Sequence, residues 1–257
     1  MEDLSGEIEI PITVLFARLP KEPVPTQTIV SNLLDPQEQK RLANFVFLRD
    51  KWRFILGRSL IYFGLRTIFK INGPKLYLDE SGRPYSHETN MRGIDFNLSH
   101  AGDWICCAFS QFSQVGVDIV DLRDFDEWQS FIASILTWDE RENINSLNCN
   151  IRKLNVARYW SIKEAVLKCI GMGLQIDPLN IVIDLHSVRQ PRVIQCPVST
   201  GARPEHYGVR TIQYQKNLIL SVVSKHRCLV GGGDKEMPKL IIKCISKDRL
   251  LNVNVST

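Results

Sequence analysis

A chain of 257 residues with 44% hydrophobic content is long enough for one large domain or two of ordinary size. Its net charge of +4 is too mild to support wholesale nucleic-acid binding, although it leaves room for a local phosphate-binding patch or an acidic protein partner. No run approaches the 18 apolar residues of a membrane span, and Met1 to Glu9 is acidic without the charged-then-apolar pattern of a leader, so a cytosolic protein with no membrane partner is expected. Seven cysteines, an odd number that includes the adjacent Cys106 and Cys107 and shows no C-x-x-C spacing, read as reduced core thiols.

Residues Ile10 to Leu19 form the first predicted strand, followed by a Pro-rich connection from Lys21 to Pro25. Asp35-Pro36-Gln37-Glu38 supplies an N-cap, a proline at the first helical position and an acidic residue at the third. Helical pattern then runs to Ile68 or Phe69, too long for one ordinary helix and so read as two. Arg41, Arg49, Arg53 and Arg58 are scattered through it, each by itself an ordinary solvated arginine. A short strand at Lys75 to Asp79 leads into a turn at Glu80 to Pro84 and a polar loop ending at Gly93. Ile94 to Leu98 and Trp104 to Ser110 read as two strands, which leaves Ser99 and His100 at a strand tip where an anion can be met.

Val115 to Asp121 is apolar enough for a buried strand, and Asp118 interrupts it. A carboxylate there is costly unless paired or metal-bound. Helices follow at Phe125 to Leu136 and at Thr137 to Leu147, the second opened by a Thr137-x-x-Glu140 capping box. From about Ile151 to Ile170 the chain lacks Gly and Pro, and the helix stops at Gly171. Trp160, Glu164 and Lys168 recur on it every four positions, stacking an indole, a carboxylate and an ammonium along one stripe. Such a carboxylate can hold a divalent cation while the amine meets a phosphate. Beyond Gly173 the chain turns to strand, at Asn180 to Leu185, Arg192 to Cys196, Tyr207 to Gln213 and Leu218 to Ser224, the last two as a hairpin. Gly231-Gly232-Gly233 reads as a linker, and the segment from Lys239 onward either adds a strand or stays mobile.

Taken together, Phe96-Asn97-Leu98-Ser99-His100, Gly116-Val117-Asp118 and Trp160-Ser161-Ile162-Lys163-Glu164, with Lys168 and Gly171, resemble the signature of phosphopantetheinyl transferases of the surfactin-synthetase-activator type. The blocks occur in the family's order and spacing, and the likeness covers most of residues 35 to 225. The block from Pro36 to Arg58, with Phe45-Val46-Phe47-Leu48-Arg49-Asp50, looks closest to the animal-type branch that serves fatty-acid synthase and aminoadipate dehydrogenase.

The resemblance implies an α+β fold, a pseudo-dimer of two similar α+β halves at residues 1–114 and 115–230, with a tail at 231–257 of no assigned role. It implies a monomer, since both halves of the coenzyme A cleft lie in one chain. By the same likeness Asp118, Glu164 and Lys168 are the catalytic residues: Asp118 and Glu164 bind Mg²⁺ on the pyrophosphate of coenzyme A, and Lys168 contacts that pyrophosphate. Arg49, Arg83, Asn97, Ser99 and His100 match positions that hold its phosphates and adenosine end. The implied reaction transfers 4'-phosphopantetheine to a serine of an apo acyl or peptidyl carrier protein, releasing adenosine 3',5'-bisphosphate. Either Glu164 or a water on the metal takes the serine proton. The chain departs from many bacterial members at Val120, where they carry a third carboxylate. Two other readings stand beside the enzyme: a non-catalytic coenzyme A or nucleotide-phosphate binder, and a structural protein in which buried arginines satisfy the two acids.

Overall fold

The computed structural model describes residues 11–21, 23, 27–172, 175–186, 190–197, 199, 202–226 and 237–251. The acidic stretch from Met1 to Glu9, Gly173, Gly231 to Gly233 and the last six residues lie outside them.

The chain opens with β1 (Ile12–Arg18) and then α1 (Gln27–Leu33), a helix the Pro-rich composition had hidden. The predicted pair of helices is present as α2 (Pro36–Asn44) and α3 (Leu48–Phe69), with Asp35 Oδ1 capping the amides of Gln37 and Glu38. The expected strand at Lys75 to Asp79 shrinks to β2 (Tyr77–Leu78), which pairs with β3 (Pro84–Tyr85) across the turn. A short α4 (His87–Met91) interrupts the expected loop. Then come β4 (Ile94–Ala101), β5 (Trp104–Gln111) and β6 (Ser113–Asp121).

A 3-10 turn at Leu122–Asp124 delays the next helix, so α5 spans Trp128–Ile135 rather than beginning at Phe125. The capping box at Thr137 and Glu140 opens α6 (Trp138–Asn145), and α7 (Cys149–Ile170) stops at Gly171 in the left-handed region. Strands β7 (Val182–Asp184), β8 (Arg192–Gln195), β9 (Tyr207–Tyr214) and β10 (Leu218–His226) follow, then β11 (Leu240–Cys244) and α8 (Lys247–Leu251). No helix among the described residues is long and apolar enough to cross a membrane.

The fold is α+β, built as four layers. One sheet has the order β11-β1-β5-β4 and the other β6-β10-β9. Strand alternation sorts their side chains. Ile12, Val14 and Phe16 of β1 with Cys106 and Ala108 of β5 face Val115, Val117 and Ile119 of β6 and Leu220 and Val222 of β10, forming the layer between the sheets. The opposite set, including Leu15, Ala17, Ile105, Cys107 and Phe109, packs against α3, and Val120, Ile219 and Val223 pack against α7. Because α3 is covered by the sheet, α1, α2 and α8, it is buried continuously from Ile55 to Leu65. The described tail therefore belongs with the first sheet: β11 runs parallel to β1, while Ile245 and Leu250 enter the core around α3.

The two sheets meet along β4 and β6, which run side by side in the same direction without a backbone ladder between them. Side chains of β4 bridge the gap instead. Asp95 Oδ2 accepts from the Val115 amide at 2.7 Å, Asn97 Oδ1 from Val117 at 3.1 Å and Ser99 Oγ from Ile119 at 3.3 Å. These three bonds satisfy edge amides of β6 that the buried seam would otherwise leave unpaired.

Candidate functional site

The stripe on α7 lies against β6, and Gly116 sets how close the two come. A Cβ there would sit 1.9 Å from the Ala165 carbonyl oxygen and 2.6 Å from the Cys169 amide nitrogen, so only glycine lets the helix backbone lie on the strand. Two residues on, Asp118 is on the same face of β6 and meets α7. Lys168 Nζ donates to Asp118 Oδ1 at 2.7 Å and to Ser99 Oγ at 2.9 Å, and Ser99 Oγ donates to the same Asp118 oxygen at 2.8 Å. Asp118 is 6% exposed, and it is met by a lysine and a hydroxyl rather than by arginines.

Glu164 lies one turn before Lys168 on the stripe. Its Oε1 is buried and has no hydrogen-bond partner. Burial raises its carboxyl above the ordinary 4.5, and the Asp118 charge raises it further against the pull of Lys168. Two acids in mutual repulsion, one with an orphaned oxygen, form a donor set that a hard divalent cation would satisfy. Asp118 and Glu164 therefore fit Mg²⁺ chemically. Among the described residues no cluster of three or more His, Cys, Asp or Glu forms a larger metal site, and Val120, on the face of Asp118, is buried among apolar neighbours.

A cavity of about 420 Å³ opens beside this group. Asp50, Arg53, Phe54, Gly57 and Arg58 of α3 line it together with Arg41 of α2 and Phe45 just beyond that helix, and His100, Asn97 and Lys168 line it from β4 and α7. The Phe54 ring centre is 5.6 Å from the Arg41 guanidinium and 4.9 Å from that of Arg58, which also pairs with the buried Glu38. His100 borders the cavity with its side chain still open to solvent; desolvation, then Arg53 and Lys168, lower it to about 4. The imidazole is therefore neutral near physiological pH.

Lys168 and His100 thus line this cavity, Asp118 and Ser99 are joined to it through the Lys168 ammonium, and Glu164 lies one turn earlier on α7, outside the lining. Ser99 and His100 lie within β4 rather than in a turn, because pairing with Cys106 and Ile105 continues and only Gly102 and Asp103 remain to reverse the chain. Arg49 is half exposed, outside the cavity lining, with its Nη2 3.4 Å from Asp103 Oδ1. Asn97 is 5% exposed, with Oδ1 engaged by Val117. Arg83 borders the cavity, but its guanidinium is engaged by protein acceptors on three elements. Conversely, Arg41, Arg53 and Arg58, read from sequence as ordinary solvated arginines, line the cavity together with Phe54, which was not named from sequence. Their signal was present: positions 50, 53, 54, 57 and 58 trace a helical stripe with three charged members.

Residues 114–223 match the family model described as the 4'-phosphopantetheinyl transferase superfamily, and residues 22–112 match that of the 4'-phosphopantetheinyl transferase N-terminal region. The chain is 28% identical over 171 residues to L-aminoadipate-semialdehyde dehydrogenase-phosphopantetheinyl transferase of Xenopus laevis, an alignment covering 62% of this chain and 57% of that protein. It is 26% identical over 211 residues to a phosphopantetheinyl transferase of Thraustochytrium sp., covering 77% and 72% respectively. To the 4'-phosphopantetheinyl transferase gsp of Aneurinibacillus migulanus it is 29% identical over 175 residues, covering 66% and 69%. The chain thus spans little more than half of the Xenopus protein.

Proposed function

The chain belongs to the 4'-phosphopantetheinyl transferase superfamily, and from that membership we propose that it transfers the 4'-phosphopantetheine of coenzyme A to a serine of an apo acyl or peptidyl carrier protein. The observation that carries the reading is the meeting of Asp118, Ser99 and Lys168 beside a Glu164 oxygen without a partner. Asp118 and Glu164 would hold Mg²⁺, whose chemistry is to neutralise the diphosphate and the charge that grows on its leaving oxygen. Lys168 contacts Asp118 and lines the cavity, so its ammonium would steady the same charge. The serine oxygen attacks the β-phosphorus, the bond to adenosine 3',5'-bisphosphate breaks, and the serine proton passes to the Glu164 carboxylate or to a water beside it. Arg41, Arg53 and Arg58 line the cavity beside Phe54, Arg53 paired with Asp50 and Arg58 with Glu38, and this net positive lining suits the phosphorylated adenosine end, where neutral His100 can donate or accept.

One chain supplies both walls of the cleft, which favours action as a monomer, and a cytosolic setting suits the buried thiols of Cys106, Cys107 and Cys169. The chain incubated with coenzyme A, Mg²⁺ and an apo carrier protein should add phosphopantetheine to the carrier serine, read by mass spectrometry. Glu164→Gln and Asp118→Ala should abolish the addition while remaining folded. Lys168→Ala should slow it by about 10²–10³-fold, as loss of one charge-stabilising donor does. Coenzyme A binding without any modified carrier would favour a non-catalytic binder instead.

A further inference from the structure

Arg83 stands at the turn between β2 and β3, where Asp79 Oδ1 accepts from the amides of Ser81 and Arg83. Its side chain is only 14% exposed. Nη2 lies 2.8 Å from both oxygens of Asp95 and 3.1 Å from the carbonyls of Phe96 and Val115, and Nη1 donates to the Lys168 carbonyl at 2.6 Å. One guanidinium thereby reaches β4, β6 and the last turn of α7, elements from both sides of the seam. The Lys168 carbonyl is among the helix-end acceptors that α7 cannot satisfy internally, and a cation there is favoured by the helix dipole. Asp95 completes the link, since the oxygen that meets Arg83 also accepts from the Val115 amide.

We propose that Arg83 and Asp95 form a positioning pair that fixes Lys168 and the β6 register, rather than a contact to the substrate's phosphates. The pair holds Lys168 by its backbone, while Asp118 and Ser99 hold the same residue by its ammonium. Both Nη groups of Arg83 already face protein acceptors, and a phosphate could be gripped only by breaking those bonds. Asp95 does not line the cavity, so any effect it has on the reaction must travel through Arg83 and β6. The role assigned to the pair presupposes the transferase reading, but the pairing itself does not.

The test uses the full chain with Arg83→Gln, Arg83→Lys, Asp95→Asn and the double variant Arg83→Gln/Asp95→Asn. Thermal unfolding of the set reports the pairing without reference to activity: the double variant should lose no more stability than the worse single one, and additive losses would overturn the link. Calorimetric titration with coenzyme A and with 3'-dephospho-coenzyme A should give an affinity ratio in Arg83→Gln within about twofold of wild type, with KM for coenzyme A similarly steady. Turnover with an apo carrier should fall by about 10- to 100-fold in Arg83→Gln and Asp95→Asn alike, the scale of a displaced catalytic group. Arg83→Lys should not restore turnover, because a single ammonium cannot span Asp95 and the Lys168 carbonyl. If Arg83→Lys restores turnover, or Arg83→Gln loses coenzyme A affinity selectively over the dephospho form, Arg83 is a phosphate ligand and the proposal fails. Failure of the wild-type chain to bind coenzyme A would instead overturn the transferase reading, leaving the unfolding cycle to decide the pair.

Discussion

Lys163, the neighbour of Glu164 on α7, tests how firmly the site is anchored. Its ammonium is fully buried and donates to the Ile135 carbonyl at 2.7 Å, to Glu140 Oε2 at 2.6 Å and to the Pro178 carbonyl at 3.2 Å. The Glu140 carboxylate, 2% exposed, also accepts from the amides of Thr137 and Ile183 at 2.9 Å. Burial pulls the Lys163 ammonium below its ordinary value, and Glu140 opposes that pull. In Lys163→Met the unbranched stem still fills the space, so the cost comes from the stranded charge rather than from a cavity. Removing one partner of a buried pair costs about 3–5 kcal/mol, a large share of the roughly 5–15 kcal/mol that holds a domain together. Urea unfolding followed by circular dichroism should show the midpoint falling at an unchanged slope. Glu140→Gln added to Lys163→Met should recover a large part of the loss, since no buried charge is then left unpaired. A loss below about 1 kcal/mol in Lys163→Met, the scale of an exposed pair, would refute this reasoning.

Glu164→Gln should stabilise the fold while abolishing transfer. A carboxyl whose folded pKa is raised contributes stability that is present below its unfolded value of 4.5 and lost as pH rises through the folded value. The melting-temperature gain of the variant over wild type should therefore be clear near neutral pH and vanish toward pH 4, and a gain independent of pH would argue against the repulsion. Gly116→Ala drives a methyl into the α7 backbone and should leave little folded protein, as circular dichroism would show; a well-folded variant would mean that helix and strand separate freely. Val120→Glu places a third carboxylate on the Asp118 face of β6 and should tighten Mn²⁺ binding in calorimetry while lowering stability without metal. Unchanged Mn²⁺ affinity would show that position 120 does not face the cation.

The core of this fold was legible because its signals are local. Short apolar, β-prone runs marked β1, β5 and β6, the Asp35 and Thr137 caps marked where α2 and α6 begin, and Gly171 marked the end of α7. Less visible were elements whose order comes from tertiary contact. The strand β11 was left open between strand and mobile tail because its partner, β1, lies more than two hundred residues earlier in the chain. The helix α1 follows a Pro-rich segment, and it is stabilised by packing on α2 and α3 rather than by its own propensity. The spacing of Glu164 and Lys168 and the discomfort of Asp118 pointed to one place. The stripe on α3 did not, because each arginine taken singly looks like surface.

The hardest residues to read were those at the seam, and the reason is physical. A backbone ladder between β4 and β6 would need nothing from the side chains of Asp95, Asn97 and Ser99, and a reader could then give all three to a ligand. Here the sheets are joined by those side chains, so each polar group on that face of β4 does structural work before any substrate arrives. The rung at Ser99 differs from the other two because its oxygen also contacts Asp118 and Lys168, so the last bond of the seam is the first bond of the site. At the opposite end Arg83 ties Asp95 to the carbonyl of the same Lys168. A sequence shows Asp95, Asn97 and Ser99 as three polar residues at every second position. Only the placement of β6 beside them shows that the seam between the sheets and the contacts of Lys168 share the same side chains.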